Sequence, residues 1–461
     1  MTTREHERLR EIHDDHSGWR RWGPYVSERA WATIREDYSA DGNAWEYLPH
    51  DFARSKAYRW GEDGIAAICD RYQLLCFAPV FWNERDPILK ERLFGLTAHE
   101  GNHGEDVKEY YFHVENTPTH SYMKYVYKYP QAAFPYGDLV QTNRRRTRGD
   151  LEYELIDTGI FDKDRYFDVI VEYAKSTPDD ILIQISICNR GDEAAALHVL
   201  PTLWFRNTWS EPSDAPKPLL KELTGQNACR ILTAVHSDLG DRFLYCEGDA
   251  PLLFTENETN RERIFGTPNP SPYVKDGIHN YVVFGREDMV NPQQVGTKAA
   301  AHYRMKVEAG GTFHIRLRLS DRAPASMSDP FGTPFAETIQ LRRHEADEFY
   351  HDLEPPGIGE DRRRVMRQAL AGMLWTKQYF YFDLDKWLAE HGVDPRQPGA
   401  AKVRNTEWFH MVNDHIISMP DKWEYPWYAA WDLAFHTIAL STVDVDLAQQ
   451  QLDLMLNHFF L

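Results

Sequence analysis

Alternation of apolar and polar positions dominates the middle of the chain. In ILIQISICNRG, Ile181, Ile183, Ile185 and Ile187 share one face before the turn signal Asn189-Arg190-Gly191. That period of two predicts a strand with one buried face. Phe313, Ile315, Leu317 and Leu319 alternate with His314, Arg316 and Arg318 in the same way, and YFDVIVEYAK, AALHVLPTLWF, ILTAVHSD, RFLYCEG and NYVVFG follow suit. Many closely spaced strands with few helical intervals, from residue 110 to 320, predict a large antiparallel sandwich. Residues 20 to 110 are aromatic, charged and weakly periodic, and read as loops and short strands. Residues 1 to 20 read as a polar helix or a loose lead-in.

Beyond residue 320 the period changes. SDRAPASMSDPFGTPF clusters Pro and Ser as a linker does. FAETIQLRRHEADEFYHDL then reads as a helix, and so does EDRRRVMRQALAGMLWTKQYFYFDLDKWLAEHG, with Val365, Ala369, Met373 and Leu374 at helical spacing. After the loop VDPRQPGAAKVRN, helical patterns return near Tyr428 and in DLAQQQLDLMLNHFFL, where Asp446 suits an N-cap. Leu452, Met455, Leu456 and Phe459 lie on one side of that last helix. Its apolar end reads as a cut through a longer protein. The expected organisation is a β-sandwich over 1–320, a linker with a helix over 321–356 and a helical domain over 357–461.

Composition narrows the function classes. The 461 residues carry a net charge of −19, from 52 basic and 71 acidic side chains. An acidic surface repels phosphate backbones, so nucleic acid is not an expected partner. No apolar run is long enough for a membrane span, and the charged N-terminus has no apolar leader. The expected location is the cytoplasm, with the five irregularly spaced cysteines as free thiols. Trp, Tyr and Phe make up 13% of the chain, and such rings either pack cores or stack on the apolar faces of sugars.

The densest chemistry lies in SMPDKWEYPWYAAWDLAFH, from Ser418 to His436. Asp421, Lys422, Glu424, Asp432 and His436 are interleaved there with Trp423, Tyr425, Trp427, Tyr428 and Trp431. Asp432 and His436, four apart, share a helix face. Carboxyl groups set among rings are desolvated, which favours the protonated form that a general acid needs. The plainer reading also stands: a helix-start carboxylate helped by the dipole, with the rings as core. WGEDG, holding Trp60 and Glu62, suits a tight turn with outward side chains facing a substrate. His103, Glu105, Asp106 and Glu109 in EGNHGEDVKEYYF suit a sugar-contacting loop, a metal loop or plain loop hydrogen bonding. No P-loop, dinucleotide fingerprint, G-x-S-x-G or EF-hand spacing occurs, so no cofactor or metal is expected.

These motifs carry a resemblance. PDKWEYPWYAAWDLAFH, with WGPYVSERAWATIREDY, YRWGEDGIAAICD, FGLTAHEGNHGEDVKEYYF and HSYMKYVYKYPQAAFPY, resembles glycoside hydrolase family 63, in its bacterial glucosidase and mannosylglycerate-hydrolase-like branch, over 19–461. The resemblance implies a β super-sandwich followed by an (α/α)6 toroid, here incomplete, and inverting, exo-acting cleavage of α-glucosyl or α-mannosyl linkages. It places the general acid at Asp432. Trp423, Tyr425, Trp427, Trp431 and His436, with Lys422 and Glu424 among them, would line the subsite for the departing sugar. The family's general base, a late Glu, has no counterpart in the chain, which would leave the chain weakly active or inactive alone. The alternative is a carbohydrate-binding or assembly protein that does not hydrolyse.

Overall fold

The computed structural model describes residues 2–15, 18–29, 48–210, 216–223, 229–397, 409–424 and 428–458. Two antiparallel sheets face each other. One runs, in spatial order, Trp22–Gly23, Ile68–Asp70, Leu75–Trp82, Ala195–Phe205, Lys298–Ala301 and Leu252–Thr255, with Tyr303–Val307 also on Ala195–Phe205. The other runs Val295–Gly296, Leu219–Leu223, Cys229–His236, Gly240–Glu247, Thr312–Ser320, Asp180–Asn189, Tyr166–Thr177, Tyr122–Pro130 and Tyr111–Asn116. Phe77, Phe81, Leu197 and Val199 from the first sheet meet Tyr125, Val169, Ile183, Ile185 and Leu317 from the second in one core.

Period-two residues are buried where a layer covers them. Ile181, Ile183, Ile185 and Ile187 all face the core. Leu182, on the opposite face, is buried too, because helix Thr333–Leu353 lies over it through Phe335, Ile339 and Ala346. The expectation for Phe313 needs correction: it is 42% exposed, near the strand's end, while Ile315, Leu317 and Leu319 are buried. Arg318, expected on the polar face, is buried but clasped by Asp180 through two bonds of 2.7 and 2.5 Å.

Leu75–Trp82 is a central strand inside a stretch read as loops and short strands. Two prolines hid it. Pro79 stands opposite Pro201 in register. Neither has an N–H, so this must be a pair without mutual hydrogen bonds. The outward side of each proline meets a gap: strand Ile68–Asp70 pairs only as far as Phe77, and His302 interrupts pairing along Ala195–Phe205.

The N-terminal helix Arg4–Asp15 packs on helix Thr333–Leu353, where buried Arg8 binds Glu345 at 2.5 Å and Glu5 at 3.0 Å. Helix Glu360–Trp375 follows, but the long helix expected beyond it does not form. KQYFYFD instead makes strand Lys377–Asp383, paired with Val412–Ser418, as its run of β-favouring rings allows. Val365 is exposed, and Leu374 and Trp375 take the buried side.

Helices Ala430–Leu440 and Val445–Asn457 pack together. The second is capped by Asp444, not Asp446, whose side chain lies in the first turn. Its buried stripe is Leu447, Ala448, Gln451 and Leu454, while Leu452 and Leu456 are exposed. Phe459 lies outside the described residues. Among the described residues, no helix is long and apolar enough to cross a membrane.

Candidate active site

Ser418 ends the strand Val412–Ser418, and the chain then turns inward. The Asp421 carboxylate accepts the backbone N–H groups of Trp423 and Glu424, both at 2.6 Å. This local bond competes with regular structure and sets the turn. Burial first, then the Glu28 charge, pushes the Asp421 carboxyl up. Lys422 is buried, donating to the carbonyls of Pro24 at 2.6 Å and Trp375 at 3.2 Å, and burial pushes its amine down to about 8.

Trp423 is buried against Gly95, where an added Cβ would lie 2.1 Å from the indole ring. Its other side is covered by the Arg29 guanidinium, 4.5 Å from the ring. Arg29 in turn grips Glu105 at 2.8 and 3.3 Å. Burial raises the Glu105 carboxyl to about 7 in spite of that arginine. Half-buried Glu424 hydrogen-bonds Asp106; its carboxyl is raised by burial and then by Asp421, and burial raises Asp106 to about 7. Asp106, Glu152 and Glu154 could together hold a cation, but the Lys108 ammonium binds all three, at 2.7 Å from Glu152 and 2.8 Å from Glu154.

The other sequence candidates separate. Glu105 and Asp106 come to the Trp423 wall. His103 bonds the Asp150 carbonyl at the surface, and Glu109 pairs with Lys90 in the interior. The outward-facing WGEDG turn needs correction: Trp60, Glu62 and Asp63 are all buried. Trp60 packs on Tyr381 and Phe382, with ring centres 5.0 and 5.3 Å away. Glu62 accepts from Asn257 at 2.8 Å, and Asp63 pairs with Arg92 at 3.1 Å.

Asp63 and Arg92 form a wall shared by two recesses. One is lined by Glu62, Glu91, Asn257, Lys275 and Lys298, the other by Glu28, Arg29, His50, Tyr58 and Trp423. Glu28 Oε2, Glu91 Oε2, Arg92 Nη1 and Asn257 Oδ1 are buried there without a hydrogen-bond partner among the described residues. Sequence reading missed Glu28, Arg92, Asn257 and Lys275, because residues far apart in the chain and without a shared motif give no local signal.

Glu62 leads to a pH prediction. Burial raises its carboxyl to about 7, against an ordinary 4.5. The folded chain therefore holds a proton that the unfolded chain loses between those values, so this group's contribution to stability falls as pH rises from 4.5 to 7. Glu62→Gln should flatten that loss, gaining on the wild type at pH 8 compared with pH 5. Urea midpoints at the two pH values measure it, and parallel shifts at both would refute it.

Asp432 occupies the first turn of helix Ala430–Leu440 and is half-buried. His436, one turn on, bonds the Ser418 hydroxyl through Nδ1 at 3.0 Å. Trp431 and Phe435, 73% and 63% exposed, meet edge to face with ring centres 5.9 Å apart. Ile438 continues that open face. Tyr428 packs against the core of the hairpin. Tyr425 and Trp427 lie outside the described residues. Lys422, Trp423 and Glu424 thus stand at the sandwich edge, and Trp431, Asp432 and His436 on the helix.

The chain is 40% identical, over 503 residues, to the uncharacterized protein YMR196W of Saccharomyces cerevisiae. The match takes in 100% of the chain and 46% of the relative, so the chain spans about half the length of the curated relative it matches. No protein-family model matches. Among solved structures, a protein described as a kojibiose phosphorylase from the human microbiome superposes with a TM-score of 0.25 at 12% identity, over 48% of this chain and 26% of its own. A galactose-mutarotase-related enzyme of Lactobacillus acidophilus superposes with a TM-score of 0.25 at 10% identity, over 58% of this chain and 94% of its own. Both are named for work on sugars, and both likenesses are too weak to assign an activity.

Proposed function

We propose that the chain is the acid-bearing part of an inverting, exo-acting glycoside hydrolase of α-glucosyl or α-mannosyl linkages, related to glycoside hydrolase family 63. Its sandwich would cover 1–320 and its helical catalytic part 357–461, joined through 321–356. The supporting observation is a half-buried carboxyl, Asp432, in the first turn of a helix beside an open pair of rings, Trp431 and Phe435. An acid needs access to the bridging oxygen, and a sugar needs apolar faces to lie on.

In this reading Asp432 protonates the glycosidic oxygen, and a carboxylate outside the chain activates water about 6.5–9.5 Å away across the bond. Trp431 and His436 border the departing sugar, with Tyr425 and Trp427 on the segment leading to them. Trp423 and Glu424 define the wall toward the sandwich.

The test is hydrolysis of a panel of α-glucosides and α-mannosides by the longest form that the reading frame encodes, followed by proton NMR. Inversion predicts the β-anomer as first product. The α-anomer first, or cleavage only in the presence of phosphate, would refute the proposal.

A further inference from the structure

Away from the candidate site, two buried histidines touch where the first sheet bends. His198 lies in strand Ala195–Phe205, opposite Trp82 on one side and Arg304 on the other. His302 is the residue between strands Lys298–Ala301 and Tyr303–Val307, and its N–H donates to the Pro251 carbonyl at 2.8 Å. Glu84 Oε1 is 3.1 Å from His198 Nε2, and His198 Nδ1 is 2.9 Å from His302 Nε2. The direction of these bonds follows from their carboxylate end. A carboxylate only accepts, so His198 Nε2 carries a proton. In a neutral ring Nδ1 then accepts, and His302 Nε2 donates to it. His302 Nδ1 is left bare, buried without a hydrogen-bond partner among the described residues. Glu84 holds its end from a left-handed backbone position, φ 62°, which a glutamate adopts only under constraint from its surroundings.

A further proton has one place to go, His302 Nδ1, where it would make a buried N–H with no acceptor. Charge there is opposed by burial first, then by His198 and Arg304, which together hold the imidazole down to about 3. His198 is lowered by burial first and by Arg304, with Glu84 working the other way. The rings of Trp82 and Tyr281 close around the pair. We propose that His198 and His302 form an acid-sensitive clasp: taking up a proton at His302 Nδ1 requires the bend to open to water, which frees strand Tyr303–Val307 from Ala195–Phe205. Among the described residues that strand pairs with no other. Opened, the His302 ring takes a proton at its ordinary 6.5; closed, it resists down to about 3. The clasp is therefore at full strength above pH 6.5 and weakens as pH falls, its opening constant rising about tenfold for each unit below 6.5.

Amide hydrogen exchange, corrected for its intrinsic pH dependence, tests the clasp. Between pH 7 and pH 5 the protection of peptides spanning Tyr303–Val307 should fall by about 10–30-fold, and that of Asp180–Asn189, inside the other sheet, by less. In His302→Gln, whose side-chain amide can still donate to His198 Nδ1 but does not titrate, the fall should be absent. NMR of the chain labelled with 15N at histidine reads the direction of the bonds. At pH 8 both rings should carry their proton on Nε2, each signal assigned by its loss in His198→Gln or His302→Gln. Protection that holds in the wild type, a fall of equal size in His302→Gln, or a proton on His302 Nδ1 overturns the clasp. Should His302→Gln fail to fold, the wild-type exchange decides.

Discussion

Replacing Asp432 with asparagine is expected to lower kcat by about 10²–10⁴-fold in the longest encoded form, the usual worth of general acid help. The side chain keeps its size and loses only its transferable proton. KM should therefore stay near the wild-type value, the pattern of an interaction made only in the transition state. The urea midpoint should also hold, because Asp432 is half-buried at a helix start and not locked in a buried pair. The loss should be steepest for substrates with poor leaving groups and shrink for activated aryl glycosides, which leave without a proton. A variant that cleaves a poor leaving group at the wild-type rate would remove Asp432 from the chemistry.

The largest effect on stability is expected at Lys90. Its ammonium is sealed inside the protein, 2.8 Å from Glu109 and 3.0 Å from the Tyr136 hydroxyl, with the Phe134 ring 3.9 Å away. Glu109 also takes the Phe94 N–H at 2.6 Å and the Tyr127 hydroxyl. Lys90→Met leaves that carboxylate buried without its counter-charge, which costs about 3–5 kcal/mol. Burial already pushes the Glu109 carboxyl up, and Lys90 is the main force holding it down. The variant should therefore recover part of its stability on acidification, when Glu109 takes up a proton. The double variant Lys90→Met/Glu109→Gln should regain much of the loss at neutral pH. Urea unfolding of the three proteins measures this, and a single variant as stable as the wild type would show the pair to be dispensable.

Legibility in the sequence followed the range of the interactions involved. The isoleucines of Asp180–Asn189 announced both the strand and its buried face, because a period of two is a local property. Leu182 could not be read as buried from the same run, since the helix that covers it comes about 150 residues later. KQYFYFD read as a continuation of a helix because its partner, Val412–Ser418, lies beyond a long loop and leaves no trace in the local pattern. The site divides in the same way. Asp432 and His436 show their shared face through spacing alone. Ser418 reaches His436 only through tertiary packing. Trp60 and Glu62 looked like an exposed turn because glycines flank them, yet Asn257 and Arg92, from distant loops, pull the acidic side chains inside.

The paired prolines 79 and 201 carry a further consequence. A slide of one position would turn one of the two strands over, and its imide nitrogen would then face the other strand where an amide donor is needed. Two residues that are usually liabilities within a sheet therefore act as a key to the parity of the alignment, reinforcing the choice that the buried faces already make.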